Sequence, residues 1–236
     1  MTARLTGRRI VLTGVSRGVG LCSARLLLDE GAEVLGISRG GTRLVDATRE
    51  LTERAPGRFD SLALELESPD AATSIRERVE ELWGGMDVLV HNAGVMLANG
   101  SISSEPDGAL EKSLDINLLA PFRITRALAP LLEASSAPRV VNVSSGAGTL
   151  TALADAGIAA YRLSKWALNG LTLLQAQEYK GRISVIALDP GWVKTDLGGP
   201  DAPGVPEESA QGLLAALSLP WTTTGLFYKD GKEISW

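Results

Sequence analysis

The chain reads as one α/β domain, a doubly wound parallel sheet of about seven strands with helices on both faces. Three observations predict this. Short β-branched and aliphatic runs alternate with longer segments of helical period along the chain. Several of those runs are almost continuously apolar, such as Val88-Leu89-Val90 and Val140-Val141-Asn142-Val143, as strands covered on both faces must be. At 236 residues and 44% hydrophobic, the chain can bury one large core, and no repeat, low-complexity tract or linker divides it.

The first strand, Arg9–Thr13, runs into Gly14-Val15-Ser16-Arg17-Gly18-Val19-Gly20, and a helix follows over 19–29 until Gly31 stops it. Glycines at a strand–helix junction let the backbone turn sharply and approach a pyrophosphate. The helix N-terminus adds free N–H donors and the positive end of a dipole. A second strand, Glu33–Ser38, leads into Arg39. An acid at this strand end would accept hydrogen bonds from the adenine ribose of NAD and repel a 2′-phosphate. None is present. Arg39, with Arg17 from the glycine loop, can instead offer planar forks to a phosphate, which favours NADP(H) over NAD(H).

Strands over 61–65 and 87–91 come next, with a helix over 70–82 between them. The fourth strand ends in His91-Asn92-Ala93-Gly94, where small residues allow a ligand to pass close to the backbone. His91, the only histidine, is expected to be structural and hydrogen-bonded. A long helix over 108–134 carries Asn117, a residue type poorly favoured in helix interiors, so a specific role is expected for it.

The fifth strand, over 139–144, ends at Ser144-Ser145-Gly146, and a helix over 159–179 opens with Tyr161-Arg162-Leu163-Ser164-Lys165. Tyrosine and lysine four apart share one helix face. A phenol with an ordinary pKa of about 10 is a weak proton catalyst near neutrality. An adjacent ammonium is expected to draw Tyr161 down toward working pH. A serine hydroxyl, Ser145 with Ser144 as the alternative, can donate to a carbonyl oxygen as charge builds on it. A serine hydrolase is excluded, because Gly-x-Ser-x-Gly is absent and the sole histidine is needed elsewhere.

A sixth strand over 182–189 leads to Pro190-Gly191-Trp192-Val193-Lys194-Thr195. The Gly/Pro-rich stretch 198–206 lies within an expected mobile flap of about 196–208, before a helix and a last strand over 225–229.

In this order, the motifs resemble the short-chain dehydrogenase/reductase family, in its core-length TGxxxGxG and YxxxK form. The closing Phe227-Tyr228-Lys229-Asp230-Gly231-Lys232 is similar to a carbonyl-reductase-like subset. The resemblance implies a single Rossmann-type domain. Its cofactor half would span about 1–135 and its catalytic half about 136–236. It also implies NADP(H)-dependent reduction of a ketone or aldehyde, or the reverse oxidation.

By the same resemblance, the cofactor would be held by Gly14, Ser16, Arg17, Gly18, Val19 and Gly20 in the first loop, and by Ser38 and Arg39 after the second strand. Glu65, beside Leu66, stands where the family has an aspartate near the adenine. Asn92, Ala93 and Gly94 match the family's NNAG, with His91 in place of the first asparagine. Pro190, Gly191, Val193 and Thr195 match PGxVxT, which holds the nicotinamide carboxamide. Ser145 and Tyr161 would bind the carbonyl oxygen, Tyr161 would give the proton, and Lys165 would bind the nicotinamide ribose. Asn117 would kink its helix and relay protons through a water. The segment from Ser145 to Tyr161 is a few residues longer than in many relatives.

Two other readings are weighed: a non-catalytic dinucleotide sensor on this fold, and a sugar-nucleotide epimerase or dehydratase. An intact Ser145, Tyr161 and Lys165 opposes the first, and the glycine spacing and short chain oppose the second. The substrate pocket is expected from the loop after Ser145, residues 93–101 and 198–206, with Leu150, Leu153, Trp192 and Leu197 as an apolar lining. Homodimers or homotetramers through the two long helices are usual in the family.

Charge and composition narrow the partners. A net charge of −5, with scattered basic residues, gives no reason to expect nucleic acid or anionic membrane. One cysteine, Cys22, allows no internal disulfide and is expected to be a buried thiol. With a single histidine besides, no metal site is expected. No apolar run matches a signal peptide or a membrane span, so a soluble cytoplasmic protein is expected.

Overall fold

A computed structural model describes residues 3–236. Its strands are β1 (Arg9–Thr13), β2 (Glu33–Ser38), β3 (Phe59–Ala63), β4 (Val88–His91), β5 (Arg139–Val143), β6 (Ser184–Leu188), β7 (Phe227–Lys229) and β8 (Lys232–Ile234). They form one sheet in the order β3-β2-β1-β4-β5-β6-β7-β8. All neighbours are parallel except β7 and β8. The helices are α1 (Gly18–Asp29), α2 (Thr42–Arg54), α3 (Ala71–Trp83), α4 (Ala109–Leu114), α5 (Ala120–Glu133), α6 (Ala159–Glu178) and α7 (Pro206–Leu217).

The strands send alternate residues to two cores, as a period of two requires. Ile10, Leu12, Val88, Val90, Ile186 and Leu188 pack on one face, against Leu27 of α1, Leu51 of α2 and Leu213 of α7. Val11, Leu89, Val140 and Val185 pack on the other, against Ile75 of α3, Leu128 of α5 and Ala176 of α6. The strand order reverses between β1 and β4. That opens a crevice at their C-terminal ends, where ligands bind in sheets of this kind.

The expected seven strands become eight. Asp230 (φ 47°) and Gly231 (φ 82°) make a two-residue turn that folds Lys232–Ile234 back on β7, with Lys229 opposite Lys232. Asp-Gly with both residues left-handed is a favoured hairpin connection. The strand expected at 61–65 lies earlier, because Val34 of β2 pairs with Phe59 and Ser38 with Ala63. Glu65 therefore sits in the loop beyond β3. α2 was not anticipated, although Leu44, Ala47 and Leu51 bury one of its faces.

The helix expected over 108–134 is interrupted by a π-helical turn at Asp115–Leu119. Such a turn adds a residue to the helical ladder and is common at functional sites. Among the described residues, no helix is long and apolar enough to cross a membrane.

Candidate active site

A cavity of about 1830 Å³ runs along the C-terminal ends of the strands. Every catalytic and cofactor-binding candidate named from sequence lines it except Asn117, which is buried.

The glycine loop forms one end. A Cβ on Gly20 would lie 2.0 Å from the Gly14 carbonyl oxygen, so no other residue lets α1 start this close to β1. Gly14 is left-handed (φ 81°), and its missing Cβ leaves room for the Asn92 amide. Thr13 Oγ1 accepts from the backbone N–H groups of Asn92 and Ala93, each at 3.0 Å. Asn92 Nδ2 donates to the Thr13 carbonyl at 2.8 Å. These bonds stitch β1 to β4 beneath the crevice, and they commit the Asn92 amide to the scaffold.

Ser38 Oγ donates to Ser16 Oγ at 2.9 Å, tying the end of β2 to the glycine loop. Arg39 is exposed at the cavity edge. Arg17 pairs with Asp196, which also accepts from Arg43 of α2 at 2.8 Å. Glu65 is exposed and Leu66 buried, and both line the cavity.

Tyr161 and Lys165 lie in the first turns of α6, both buried. Lys165 Nζ donates to the Val143 carbonyl at 2.8 Å and stands 5.8 Å from the centroid of the Tyr161 ring. The Ser145 hydroxyl accepts from the Ala147 N–H at 3.1 Å, and it lines the same cavity as the Tyr161 phenol. Ser144 is turned toward α6, where its hydroxyl donates to Asn169 Oδ1 at 2.6 Å.

Asn117, in the π turn, binds the loop after β4. Its Oδ1 accepts from Val95 N–H at 2.8 Å, and its Nδ2 donates to the Val95 carbonyl and to Ser164 Oγ, each at 2.9 Å. Ser164 Oγ in turn donates to the Tyr161 carbonyl at 2.8 Å.

The electrostatics differ from the sequence expectation. Burial pushes the Tyr161 phenol up to about 12; the nearby Ser145 hydroxyl opposes this and the charge of Asp189 adds to it. Burial pulls Lys165 down to about 8. The ammonium does not draw the phenol toward neutrality here, because removing a phenolate from water costs more than its neighbours return.

A family model described as short chain dehydrogenase matches residues 8–204. The chain belongs to the short chain dehydrogenase family. It is 36% identical over 157 residues to the C-signal of Myxococcus xanthus, covering 65% of this chain and 94% of that protein. It is 30% identical to (+)-neomenthol dehydrogenase of Arabidopsis thaliana, covering 99% of each. The NADPH-bound carbonyl reductase from chicken fatty liver superposes with a TM-score of 0.87 at 30% identity, covering 98% of this chain and 100% of that one. The protein is thus an oxidoreductase of this family, similar to carbonyl reductases.

Three features of this short chain dehydrogenase were not read from its sequence. Asp189, buried at the end of β6, pairs with Lys229 of β7 at 3.0 Å and accepts from Gly191 N–H at 3.0 Å. It lines the cavity, as does Lys229. Arg43 joins the arginines at the opposite end. Ile158, just before α6, has φ 47° and ψ 40° and also lines the cavity. A left-handed conformation costs a residue with a Cβ about 1–2 kcal/mol, and more crowding follows from β-branching.

Of the expected apolar lining, Trp192 and Leu197 border the cavity, whereas Leu150 and Leu153 do not. Leu150 is 67% exposed, because the 3₁₀ turns after Ser145 carry it outward. The 196–208 stretch is laced to the preceding loop. Lys194 N–H donates to the Gly204 carbonyl at 3.0 Å and Trp192 Nε1 to the Gly198 carbonyl at 2.7 Å. His91 is buried with Nε2 2.8 Å from Thr125 Oγ1, and burial lowers its pKa to about 3.

Proposed function

We propose that the protein is NADP(H)-dependent and reduces a ketone or aldehyde to an alcohol, or runs the reverse, with Tyr161 as general acid–base. The observation that carries this is the meeting of Ser145, Tyr161 and Lys165 in the cavity that also contains the glycine loop, Arg17 and Arg39.

The residues present fit a dinucleotide. Gly14 and Gly20 leave a cradle that a Cβ would fill, at the N-terminus of a twelve-residue helix. Gly14, Ser16, Gly18, Val19 and Gly20 would hold the pyrophosphate, and Arg17, Ser38 and Arg39 a 2′-phosphate. Glu65 and Leu66 would border the adenine, with Asn92, Ala93 and Gly94 alongside. Tyr161 and Lys165 would meet the nicotinamide ribose, and Pro190, Gly191, Val193 and Thr195 the carboxamide. The nicotinamide supplies the hydride when bound.

Ser145 donates to the substrate carbonyl oxygen and Tyr161 Oη passes its proton to that oxygen. The raised phenol pKa keeps this proton in place at neutral pH, which suits reduction. Oxidation requires the phenolate instead. Lys165 keeps a positive charge beside the ring as the phenolate forms. Both Asn117 side-chain donors are taken, so a proton-relaying water would use the remaining lone pair on Oδ1.

The chain works as one domain, its first part (about 1–135) holding the cofactor and the rest the substrate. The 196–208 stretch serves as the flap. It assembles as a homodimer or homotetramer through α5 and α6. Support comes from the exposed Leu163, Trp166, Leu173 and Leu174 on one side of α6 and Phe122 on α5.

The test is cofactor consumption by the purified chain, with NADPH and with NADH, against a panel of aldehydes and ketones. Turnover with a clear NADPH preference is expected. Equal or faster turnover with NADH would contradict the arginine argument.

A further inference from the structure

Asp196 follows Thr195 directly, where the 196–208 stretch begins, yet its carboxylate reaches the adenosine end of the cavity. Its Oδ2 accepts from the guanidinium of Arg17 in the glycine loop and from that of Arg43, at 2.8 Å for the latter. Arg43 lies in the first turn of α2, which begins soon after the chain leaves β2. Three distant segments thus converge on one oxygen, and all three residues line the cavity together with Arg39. The hydrogen bond from Arg43 and the charge of Arg17 hold the Asp196 carboxyl below its ordinary range.

A carboxylate bound by two guanidiniums uses the same chemistry that would bind a phosphate there. We propose that Asp196 is a cofactor-specificity residue: it competes with a 2′-phosphate for Arg17 and Arg43, and so limits how strongly the chain prefers NADP(H) to NAD(H). This rests on the NADP(H) reading above, and it adds Arg43 to the cations of that subsite.

Two arrangements give the same sign. If the phosphate displaces the carboxylate, the arginines must give up one anion for the other. If the guanidiniums serve both, a carboxylate and a phosphate share the same cations and repel each other. NAD(H) has a hydroxyl at this place and is indifferent to both.

The experiment measures dissociation constants of NADPH and NADH by calorimetry on the wild type, Asp196→Asn and Arg43→Ala, at low and high salt. Asp196→Asn is expected to tighten NADPH about three- to tenfold and leave NADH unchanged, with the gain shrinking at high salt. Arg43→Ala is expected to weaken NADPH alone. If Asp196→Asn weakens NADPH, or shifts both cofactors alike, the competition is overturned while the NADP(H) preference stands. A wild type that binds NADH as tightly as NADPH overturns the preference itself, and the competition with it.

Discussion

Asn117 pairs edge to edge with the backbone of Val95, accepting its N–H at 2.8 Å and donating to its carbonyl at 2.9 Å. One side chain in a π turn thereby fixes the loop after β4. Gly94 in that loop has little room to spare: a Cβ there would sit 3.3 Å from Asn117 Oδ1 and 3.4 Å from Lys165 Nζ. Asn117→Ala leaves Val95 and Ser164 short of partners in a largely buried place. A loss of about 1–3 kcal/mol is expected, with lower turnover. Thermal melting with and without NADPH checks it. An unchanged melt would mean that water replaces the amide at no cost.

His91 makes stability fall in acid. Its folded pKa is about 3 against an unfolded value near 6.5, so the unfolded chain binds the extra proton between those limits. Its contribution is complete above pH 6.5 and is lost as pH falls toward 3, at up to about 1.4 kcal/mol per unit. Urea unfolding at pH 7 and pH 5 should show this loss in the wild type and a smaller one in His91→Asn. Identical losses in both proteins would assign the acid sensitivity elsewhere.

The outer side of α6 is expected to bury itself against a second copy. Leu174 is 70% exposed, and Trp166, an exposed aromatic, lies about two turns before it on the same side of the helix. Light scattering should find a dimer or tetramer for the wild type and a monomer for the double variant Trp166→Glu, Leu174→Glu. A monomeric wild type would sink the assembly proposal without touching the chemistry.

Much of this site was legible because its parts are local. Gly14, Gly18 and Gly20 announce a sharp strand–helix junction, and the four-residue step from Tyr161 to Lys165 places them on one face. Both facts follow from backbone geometry alone. What escaped depends on partners far away in sequence. Asp189 meets Lys229 and Arg43 meets Asp196 only after the sheet has ordered its strands, and no spacing announces either pair. The direction of the Tyr161 pKa escaped for a related reason, since burial is a property of the packed cavity. The β8 hairpin is different. Its Asp230-Gly231 signal was present in the sequence and went unused.

Asp189 and Ser145 act on Tyr161 in opposite senses, and burial outweighs both, leaving a phenol that keeps its proton at neutral pH. The most direct test is the rate of NADPH consumption with a responsive ketone or aldehyde, for the wild type and Tyr161→Phe, from pH 6 to pH 9. Tyr161→Phe is expected to lose at least about a hundredfold across the range. The wild-type rate should be nearly flat at the acid end and fall through about pH 8 as Lys165 loses its charge. Turnover that survives Tyr161→Phe unchanged would contradict Tyr161 as the proton donor.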